Sequence, residues 1–224
     1  MAAERVRIPN ASRGRTADTS EDGTGPKRRG TGRTVRGRQS RQLLVDAART
    51  VFERQGFLRT RIADISKEAK VSHGTFYTYF FSKEEVFREI VDSVEIDLLR
   101  VDAVESTDPV ERIHAGNRHY LESFRDNADI LRVIQQVSTF DEAVRQTREE
   151  RQTRFAHALE RRTRSYQEEG LVRGDIDPWV AANALGGMVS NFADLMFIQG
   201  RTFDLDHVVD QLTTLWARAV GIEA

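Results

Sequence analysis

From Gln39 onward, apolar residues recur at helical spacing, and this periodicity limits the fold more than any other feature of the sequence. Leu44, Ala47, Ala48 and Val51 form the first such stripe, with the three- and four-residue steps of a helix that buries one face. The same spacing continues to the end, and no stretch after Gln39 alternates apolar and polar residues as a half-buried strand does. The sequence therefore predicts an all-α fold.

Residues 1–38 have a different composition from the rest of the chain. They hold six of the fifteen glycines and ten basic residues, with few large apolar side chains. Such a segment cannot bury enough apolar surface to offset the entropy cost of ordering it. We therefore expect a disordered basic arm at 1–38, a first folded domain at 39–85 and a second at 86–224.

The charges are segregated along the chain although the formal net charge is only −1. Residues 1–85 carry 18 basic and 10 acidic side chains, whereas residues 86–224 carry 16 basic and 25 acidic ones. A basic front half favours contact with a polyanion, and an acidic back half disfavours it. The chain has no cysteine and no apolar N-terminal stretch typical of a signal peptide, so we expect a cytoplasmic protein without disulfides.

Residues 61–80 read as a helix-turn-helix. Two short amphipathic runs, one from Ile62 to Ala69 and one from His73 to Phe80, are separated by only three residues. In this motif the second helix lies in the major groove with its N-terminal residues nearest the bases. Ser72 is suited to cap that helix, and Phe76 and Phe80 are spaced to anchor it to the core.

The polar residues around the second helix are the candidate DNA contacts. We expect base contacts from its first residues, where Gly74 permits close approach of the backbone. Hydroxyl and cationic groups nearby are suited to phosphates. The DNA-binding candidates are Thr60, Arg61, Ser72, His73, Gly74, Thr75, Tyr77, Thr78, Tyr79 and Lys83.

Several later helix starts are also marked in the sequence. Ser82 with Glu85 forms a capping box, and Phe81 is placed to pack on Val86 as a hydrophobic staple. Further N-caps are predicted at Asp108, Thr139 and Asp177, each followed by proline or a capping-box glutamate.

Residues 41–87 resemble the DNA-binding domain of the tetracycline-repressor (TetR) family. The resemblance rests on an ordered set of matches: Arg41, Ala47-Ala48, Val51-Phe52, Gly56-Phe57, Thr60, Ile65, Ala69, Val71-Ser72, Gly74-Thr75-Phe76-Tyr77, Tyr79-Phe80 and Ser82-Lys83-Glu84. It implies a homodimeric transcriptional regulator, usually a repressor, that binds a double-stranded DNA operator. It also implies that the C-terminal helices hold a small-molecule effector pocket and the dimer interface.

Three positions depart from the family pattern. Lys70 stands where the family usually has glycine, at a turn position that tends to be left-handed and that costs a non-glycine residue about 1 kcal/mol. Either the turn differs slightly or Lys70 bears that strain while pointing at DNA. Ser66 replaces the usual alanine, and Ala63 replaces a basic residue, so that Arg59 or Arg61 would have to supply the charge.

The helix predicted within residues 178–198 carries two unlike stripes. Its polar and small stripe is a candidate lining of the ligand pocket, together with three aromatic residues from preceding helices: Asn183, Gly187, Asn191 and Asp194 with Tyr120, Phe124 and Phe140. By the resemblance, its apolar stripe and the last helix form the dimer interface, with Leu185, Val189, Phe192, Met196, Val209, Leu212 and Trp216. Each of these residues is equally well explained as part of an ordinary core.

The sequence also has to be weighed against other functions. An all-α enzyme or a small-molecule carrier with an incidental hairpin would need a reactive constellation, and we find no nucleophile with a paired base. The histidines lack metal-ligand spacing, so neither a metal nor a cofactor is predicted. A non-specific architectural binder would depend on the arm, where Arg36 and Arg38 are either minor-groove contacts or part of a solvated tail.

Overall fold

In the computed structural model, which describes residues 34–99 and 106–222, the regular structure consists of α-helices and one π-helical turn. Within these ranges there is no strand, which confirms the all-α prediction. The helices are α1 Val35–Gln55, α2 Ile62–Glu68, α3 His73–Tyr79, α4 Lys83–Leu99, α5 Pro109–Asp126, α6 Ala128–Val137, α7 Glu142–Glu168, α8 Pro178–Ala193 and α9 Leu205–Val220.

Helix α1 begins before the predicted end of the arm. The hydroxyl of Thr34 accepts a hydrogen bond from the Gly37 N–H at 3.1 Å, so Thr34 caps a helix that starts at Val35. The prediction that disorder extends to residue 38 is therefore wrong for its last residues. The rest of the predicted arm, residues 1–33, lies outside the described residues.

Helices α1, α2 and α3 pack together with the first turns of α4. The ring of Phe52 stacks on Phe57 at 5.5 Å between centroids and meets the edge of Phe87 at 5.2 Å. Ile65 and Phe76 are also fully buried in this core. Because each buried side chain of this size contributes roughly 1.5–3 kcal/mol, this small cluster is enough to hold two seven-residue helices in place.

Helix α4 connects this N-terminal unit to the rest of the protein. Its buried stripe runs from Val86 to Leu98 and packs first on α1 and then on α5 and α7. The predicted domain boundary at residue 85 therefore falls inside a continuous helix. A displacement of one end of α4 is transmitted to the other because the helix is a rigid element.

The start of α4 matches the predicted capping box in part. The Glu85 N–H donates to Ser82 Oγ at 3.3 Å, but the Glu85 carboxylate accepts from the Phe81 N–H rather than from Ser82. Phe81 is 70% exposed, so the predicted staple on Val86 is wrong. The fully buried ring at this junction is that of Phe80.

Helices α5 to α9 form a bundle in which α7 packs along α8 and α5 packs along α9. Asp108 and Asp177 cap α5 and α8 as predicted, accepting from Val110 at 2.8 Å and Val180 at 2.9 Å. The cap predicted at Thr139 is wrong. Asp141 caps α7 instead, because the Thr139 hydroxyl already donates to the Gln136 carbonyl at the end of α6.

Helix α8 ends in the π-helical turn Asp194–Ile198. The Gln199 N–H donates to the Asp194 carbonyl oxygen at 2.9 Å, which is the i+5 bond of a π-helix. About two turns before Asp194, Gly186 lies so close to α7 that an added Cβ would be 3.0 Å from Leu159 Cδ1 and 3.1 Å from Phe155 Cε1. The absence of a side chain at Gly186 thus permits the close approach of α7 and α8.

Candidate functional site

Helix α2 is fixed at its start by a carboxylate. Asp64 Oδ2 accepts from the Arg61 N–H at 3.0 Å and from Gln55 Nε2 at 3.2 Å. The Arg61 backbone hydrogen bond and then the Gln55 side chain lower the pKa of Asp64 below its usual value. The charged form of Asp64 is therefore favoured at a helix N-terminus, where a negative charge is stabilising.

The turn between α2 and α3 has the left-handed residue that the sequence suggested. Lys70 has φ of +54° and is the non-glycine residue with positive φ in the described part of the chain. The turn is closed by hydrogen bonds from the Val71 N–H to the Ser66 carbonyl at 3.0 Å and from the Lys70 N–H to the Lys67 carbonyl at 3.1 Å. Lys70 is exposed, so the strained residue presents its ammonium group to solvent.

Helix α3 has one buried face and one exposed face. Ser72 Oγ accepts from the Thr75 N–H at 3.1 Å and caps the helix as predicted. Phe76 and Phe80 have no exposed surface, which fixes α3 against the core. The opposite face exposes four of the predicted contacts, namely His73, Gly74, Tyr77 and Thr78.

His73 and Tyr77 form a pair on that exposed face. Their rings meet edge to face with centroids 5.3 Å apart, one helical turn from each other. The neighbouring Thr78 hydroxyl donates to the Gly74 carbonyl at 3.2 Å. The ring pair and the hydroxyls of Tyr77 and Thr78 form a continuous polar surface at the outer side of α3.

Two predicted phosphate contacts have internal roles instead. Thr60 is 2% exposed and its Oγ1 donates to the Gly56 carbonyl at 2.8 Å. Lys83 Nζ donates to the carbonyl oxygens of Phe57 at 2.9 Å and Thr60 at 3.0 Å, above the Phe57 ring. The Phe57 carbonyl also accepts from the Thr60 N–H at 3.3 Å, and Lys83 adds a charged donor to both carbonyls. Sequence reasoning did not identify this contact because it joins residues more than twenty positions apart.

The remaining predicted contacts differ in accessibility. Arg61 is exposed, whereas Tyr79 is half-buried against the core, and the Thr75 and Ser72 hydroxyls lie 2.8 Å apart and bond to each other. Arg36 and Arg38 are exposed on the first turn of α1 rather than on an extended arm.

A cavity of about 390 Å³ lies between α4, α5, α7 and α8. It brings together five of the seven predicted pocket residues: Tyr120, Asn183, Gly187, Asn191 and Asp194. Phe124 lines a smaller cavity of about 80 Å³ beside it. Phe140 lines neither cavity and is 55% exposed, because it falls in the turn between α6 and α7. Its assignment to the pocket is wrong.

Helix α7 supplies lining residues that sequence reasoning did not assign to the pocket. Arg148, Gln152 and Phe155 face the larger cavity from successive turns. The dense charges of α7 indicated a solvated face, and only the i, i+4, i+7 spacing of these three residues could have suggested otherwise. Leu98 and Leu99 of α4 complete the wall of this cavity.

The structure places most of the predicted dimer residues in the core of a single protomer. Val189, Met196, Val209, Leu212 and Trp216 are at most 9% exposed. Phe192 is half-buried against the larger apolar cluster of the protein, and Leu185 is half-buried against the smaller cluster that contains Trp216. The apolar stripe of each helix faces its own bundle, so that the five buried residues have little surface left for a second copy, and their assignment to an interface is wrong. The assignment of Leu185 and Phe192, which keep some exposed surface, stays a prediction.

The outer faces of α8 and α9 carry other residues. Val180 is 63% exposed on α8, with Ala184 one turn further along, and Leu215 is 53% exposed on α9.

None of the helices in the described ranges is long and apolar enough to cross a membrane.

Comparison with known proteins identifies the family. A family model of bacterial regulatory proteins of the TetR family matches residues 44–90. The chain is 33% identical over 144 residues to the HTH-type transcriptional regulator YfiR of Bacillus subtilis, an alignment that covers 60% of this chain and 67% of YfiR. It is 26% identical over 178 residues to the A-factor receptor protein of Streptomyces griseus, covering 80% of this chain and 61% of that protein.

Solved structures share the fold at lower identity. GusR of Salmonella enterica superposes with a TM-score of 0.67 at 19% identity, covering 82% of this chain and 96% of GusR. A complex of SmeT with triclosan superposes with a TM-score of 0.68 at 20% identity, covering 81% of this chain and 91% of SmeT. With the helix-turn-helix in place and the family match over it, the chain belongs to the TetR family of bacterial transcriptional regulators, and not to a family of enzymes.

Proposed function

We propose that this protein is a homodimeric repressor that binds a palindromic operator in the cytoplasm and leaves it when a small molecule binds. The DNA-binding part of this proposal rests on Gly74, an exposed glycine at the start of α3. An added Cβ at Gly74 would meet nothing closer than Ser72 Oγ at 3.8 Å, and its φ is not positive. The fold therefore does not require glycine here, although glycine in a helix costs roughly 0.5–1 kcal/mol.

Close approach of a second molecule explains this glycine. On α3, His73, Gly74 and Thr75 are the first helical residues and would face base edges in the major groove. Arg61, Ser72, Tyr77, Thr78 and Tyr79 would position the domain on phosphates, with Arg36 and Arg38 in the adjacent minor groove. Thr60 and Lys83 would act indirectly, by holding the turn at 57–60.

A second copy would dock on the outer faces of α8 and α9. Val180, Ala184 and Leu215 leave apolar surface there that the protomer itself does not cover. A two-fold dimer through these helices would place two copies of α3 in successive major grooves, about 34–36 Å apart. Such a dimer reads an inverted repeat.

The cavity would be the effector site. Leu98 and Leu99 line it at the end of α4, while Lys83 at the start of α4 is bonded to the turn before α2. The helix α4 would take two positions, and a ligand that binds the protein more tightly in one of them would shift the spacing of the recognition helices. One relative is named a receptor and one structural neighbour is a complex with triclosan, which supports a small-molecule site in this cavity.

Selection of bound sequences from random duplex DNA at about 150 mM salt tests the DNA-binding part, since phosphate contacts alone bind weakly at this ionic strength. We expect enrichment of an inverted repeat. The His73→Ala variant should lose preference at one position of each half-site, and Tyr77→Phe should weaken binding to all sequences alike. Selection that enriches no inverted repeat would show that the protein is not a specific repressor.

Deletion of residues 1–33 separates this proposal from an architectural binder. The deletion leaves the Thr34 cap of α1 in place. A specific repressor keeps its operator preference with a modest loss of affinity and a weaker salt dependence, whereas a binder led by the arm loses binding altogether.

A further inference from the structure

The two cavities of the bundle share a polar boundary. Tyr120, Arg148, Ser190 and Asp194 line both the 390 Å³ cavity and the 80 Å³ cavity beside it. On the far side the smaller cavity is lined mainly by apolar residues, including Phe124, Leu131, Ile134 and Ile198. A molecule that fills the larger cavity therefore reaches a row of polar groups where the two cavities adjoin.

The apolar part of the larger cavity is a fixed aromatic wall. The rings of Tyr120 and Phe155 are stacked with centroids 5.6 Å apart and planes 28° apart. The backbone of α8 also approaches Phe155 closely, since an added Cβ at Gly186 would lie 3.1 Å from Phe155 Cε1. Because Phe155 packs on both the Tyr120 ring and the α8 backbone, this wall is preformed and suits a flat, apolar ligand body.

The polar boundary combines opposite charges with hydroxyl groups. In the described part of the chain, the charged residues that line the two cavities are Arg148 and Asp194. The Tyr120 hydroxyl donates to Ser190 Oγ at 3.3 Å, and Asp194 Oδ2 accepts from Gln199 Nε2 at 2.8 Å. Asp194 is also the first residue of the π-helical turn, a feature that frequently marks functional sites.

This arrangement selects against a ligand with a full charge. A carboxylate that approaches Arg148 is also repelled by Asp194, and an ammonium group that approaches Asp194 is also repelled by Arg148. Because attraction and repulsion offset each other, neither ion recovers the cost of its desolvation. A neutral group that both accepts and donates hydrogen bonds, such as a carboxamide or a hydroxyl beside a carbonyl, satisfies both residues.

We infer that the effector is a neutral, flat molecule whose apolar body lies on the Tyr120–Phe155 wall and whose polar group donates to Asp194 and accepts from the Arg148 side. This inference rests on the proposed effector role of the cavity. It predicts selectivity among ligands of one shape, and that selectivity is measurable without DNA.

Three probes with the same ring system test this selectivity at pH 7: 2-naphthamide, 2-naphthoate and 2-naphthylmethylammonium. Their affinities for the full chain are measured by titration calorimetry or ligand-observed NMR. We expect the amide to bind at least about tenfold more tightly than either ion. Equal or tighter binding of either ion, or no binding of any probe, would overturn the inference.

The Asp194→Asn variant tests whether the discrimination arises at the polar boundary. It should strengthen naphthoate binding by about tenfold, weaken binding of the ammonium probe, and change amide binding less than about threefold. The matched control Asp92→Asn removes an exposed carboxylate of α4 outside the cavities and should change none of the three affinities. An unchanged ranking in Asp194→Asn would overturn the inference. Since operator selection uses no ligand, it can succeed or fail independently of these titrations.

Discussion

Lys83 Nζ lies 2.9 Å from the carbonyl oxygen of Phe57, so the first residue of α4 is bonded to the turn that precedes the helix-turn-helix. The same ammonium group binds the Thr60 carbonyl at 3.0 Å and lies 4.5 Å from the centre of the Phe57 ring. Lys83 thus joins the helix that lines the cavity to the elements that hold α2 and α3.

Replacing Lys83 by methionine should destabilise the protein. Hydrogen bonds to a charged group contribute about 1.5–3 kcal/mol, and the part-buried carbonyls of Phe57 and Thr60 would lose the ammonium donor of Lys83. We expect a loss of about 2 kcal/mol in the free energy of unfolding, measured in urea. The control Lys67→Met removes an exposed lysine and should change stability little. If Lys83 served only to contact phosphate, Lys83→Met would be as stable as the wild type.

Replacing Lys70 tests whether the protein keeps a strained lysine at this position because its charge contacts DNA. Lys70→Gly should raise the free energy of unfolding by about 1 kcal/mol, because glycine adopts φ of +54° without strain. Lys70→Ala keeps the strain and should bring no such gain. Both variants should lose DNA affinity equally and reduce the salt dependence of binding by about one phosphate contact. Unchanged affinity in both would show that Lys70 does not face DNA.

Gly74→Ala should separate DNA binding from stability. The added methyl group meets only Ser72 Oγ at 3.8 Å, and alanine favours a helix over glycine by about 0.5–1 kcal/mol. We expect a slightly higher thermal midpoint together with a loss of operator affinity of about tenfold or more, as a base-edge contact worth 1–3 kcal/mol is blocked. Retained affinity would mean that α3 does not approach DNA through this residue.

Local signals in the sequence predicted the elements that depend on neighbouring residues. The Ser72 cap, the left-handed Lys70 and the Asp108 and Asp177 caps involve hydrogen bonds or steric effects within a few residues. Such effects are readable from residue type and spacing. The cap predicted at Thr139 was wrong because Asp141, two residues further along, caps α7 instead.

Contacts between distant segments were not predictable in the same way. Lys83 and the 57–60 turn, and the α7 residues that face the cavity, meet only because the helices pack. The sequence also does not show what the apolar face of an amphipathic helix packs against, since an apolar stripe fits a core and an interface equally well. For Val189 and Leu212 the packing decides in favour of the core.

The neighbouring glycines of α8 should respond to alanine in opposite ways. At Gly187 an added Cβ has open space, so Gly187→Ala should gain about 0.5–1 kcal/mol from helix propensity. At Gly186 the Cβ would press on Phe155 and Leu159 at 3.1 and 3.0 Å. Overpacking of this kind costs about 1–3 kcal/mol and should outweigh the helix gain. Chemical denaturation of both variants checks the difference, and equal stabilities would show that α7 moves away at little cost.

The carboxylate of Asp64 should make part of the stability depend on pH. Its pKa in the folded protein is lowered by hydrogen bonds from the Arg61 N–H and from Gln55. The stabilisation it provides is therefore fully present above the ordinary pKa of 3.8 and is lost as the pH falls through the lower folded value.

Asp64→Asn should accordingly be less stable than the wild type at neutral pH, and the difference should shrink as the pH falls below about 3.8. Urea unfolding at a series of pH values measures it. The exposed Asp92→Asn variant controls for the loss of one negative charge. If the difference in stability between Asp64→Asn and the wild type stays constant through the acid range, the charge of Asp64 does not contribute. Asp64 would then act through its shape and its hydrogen bonds alone.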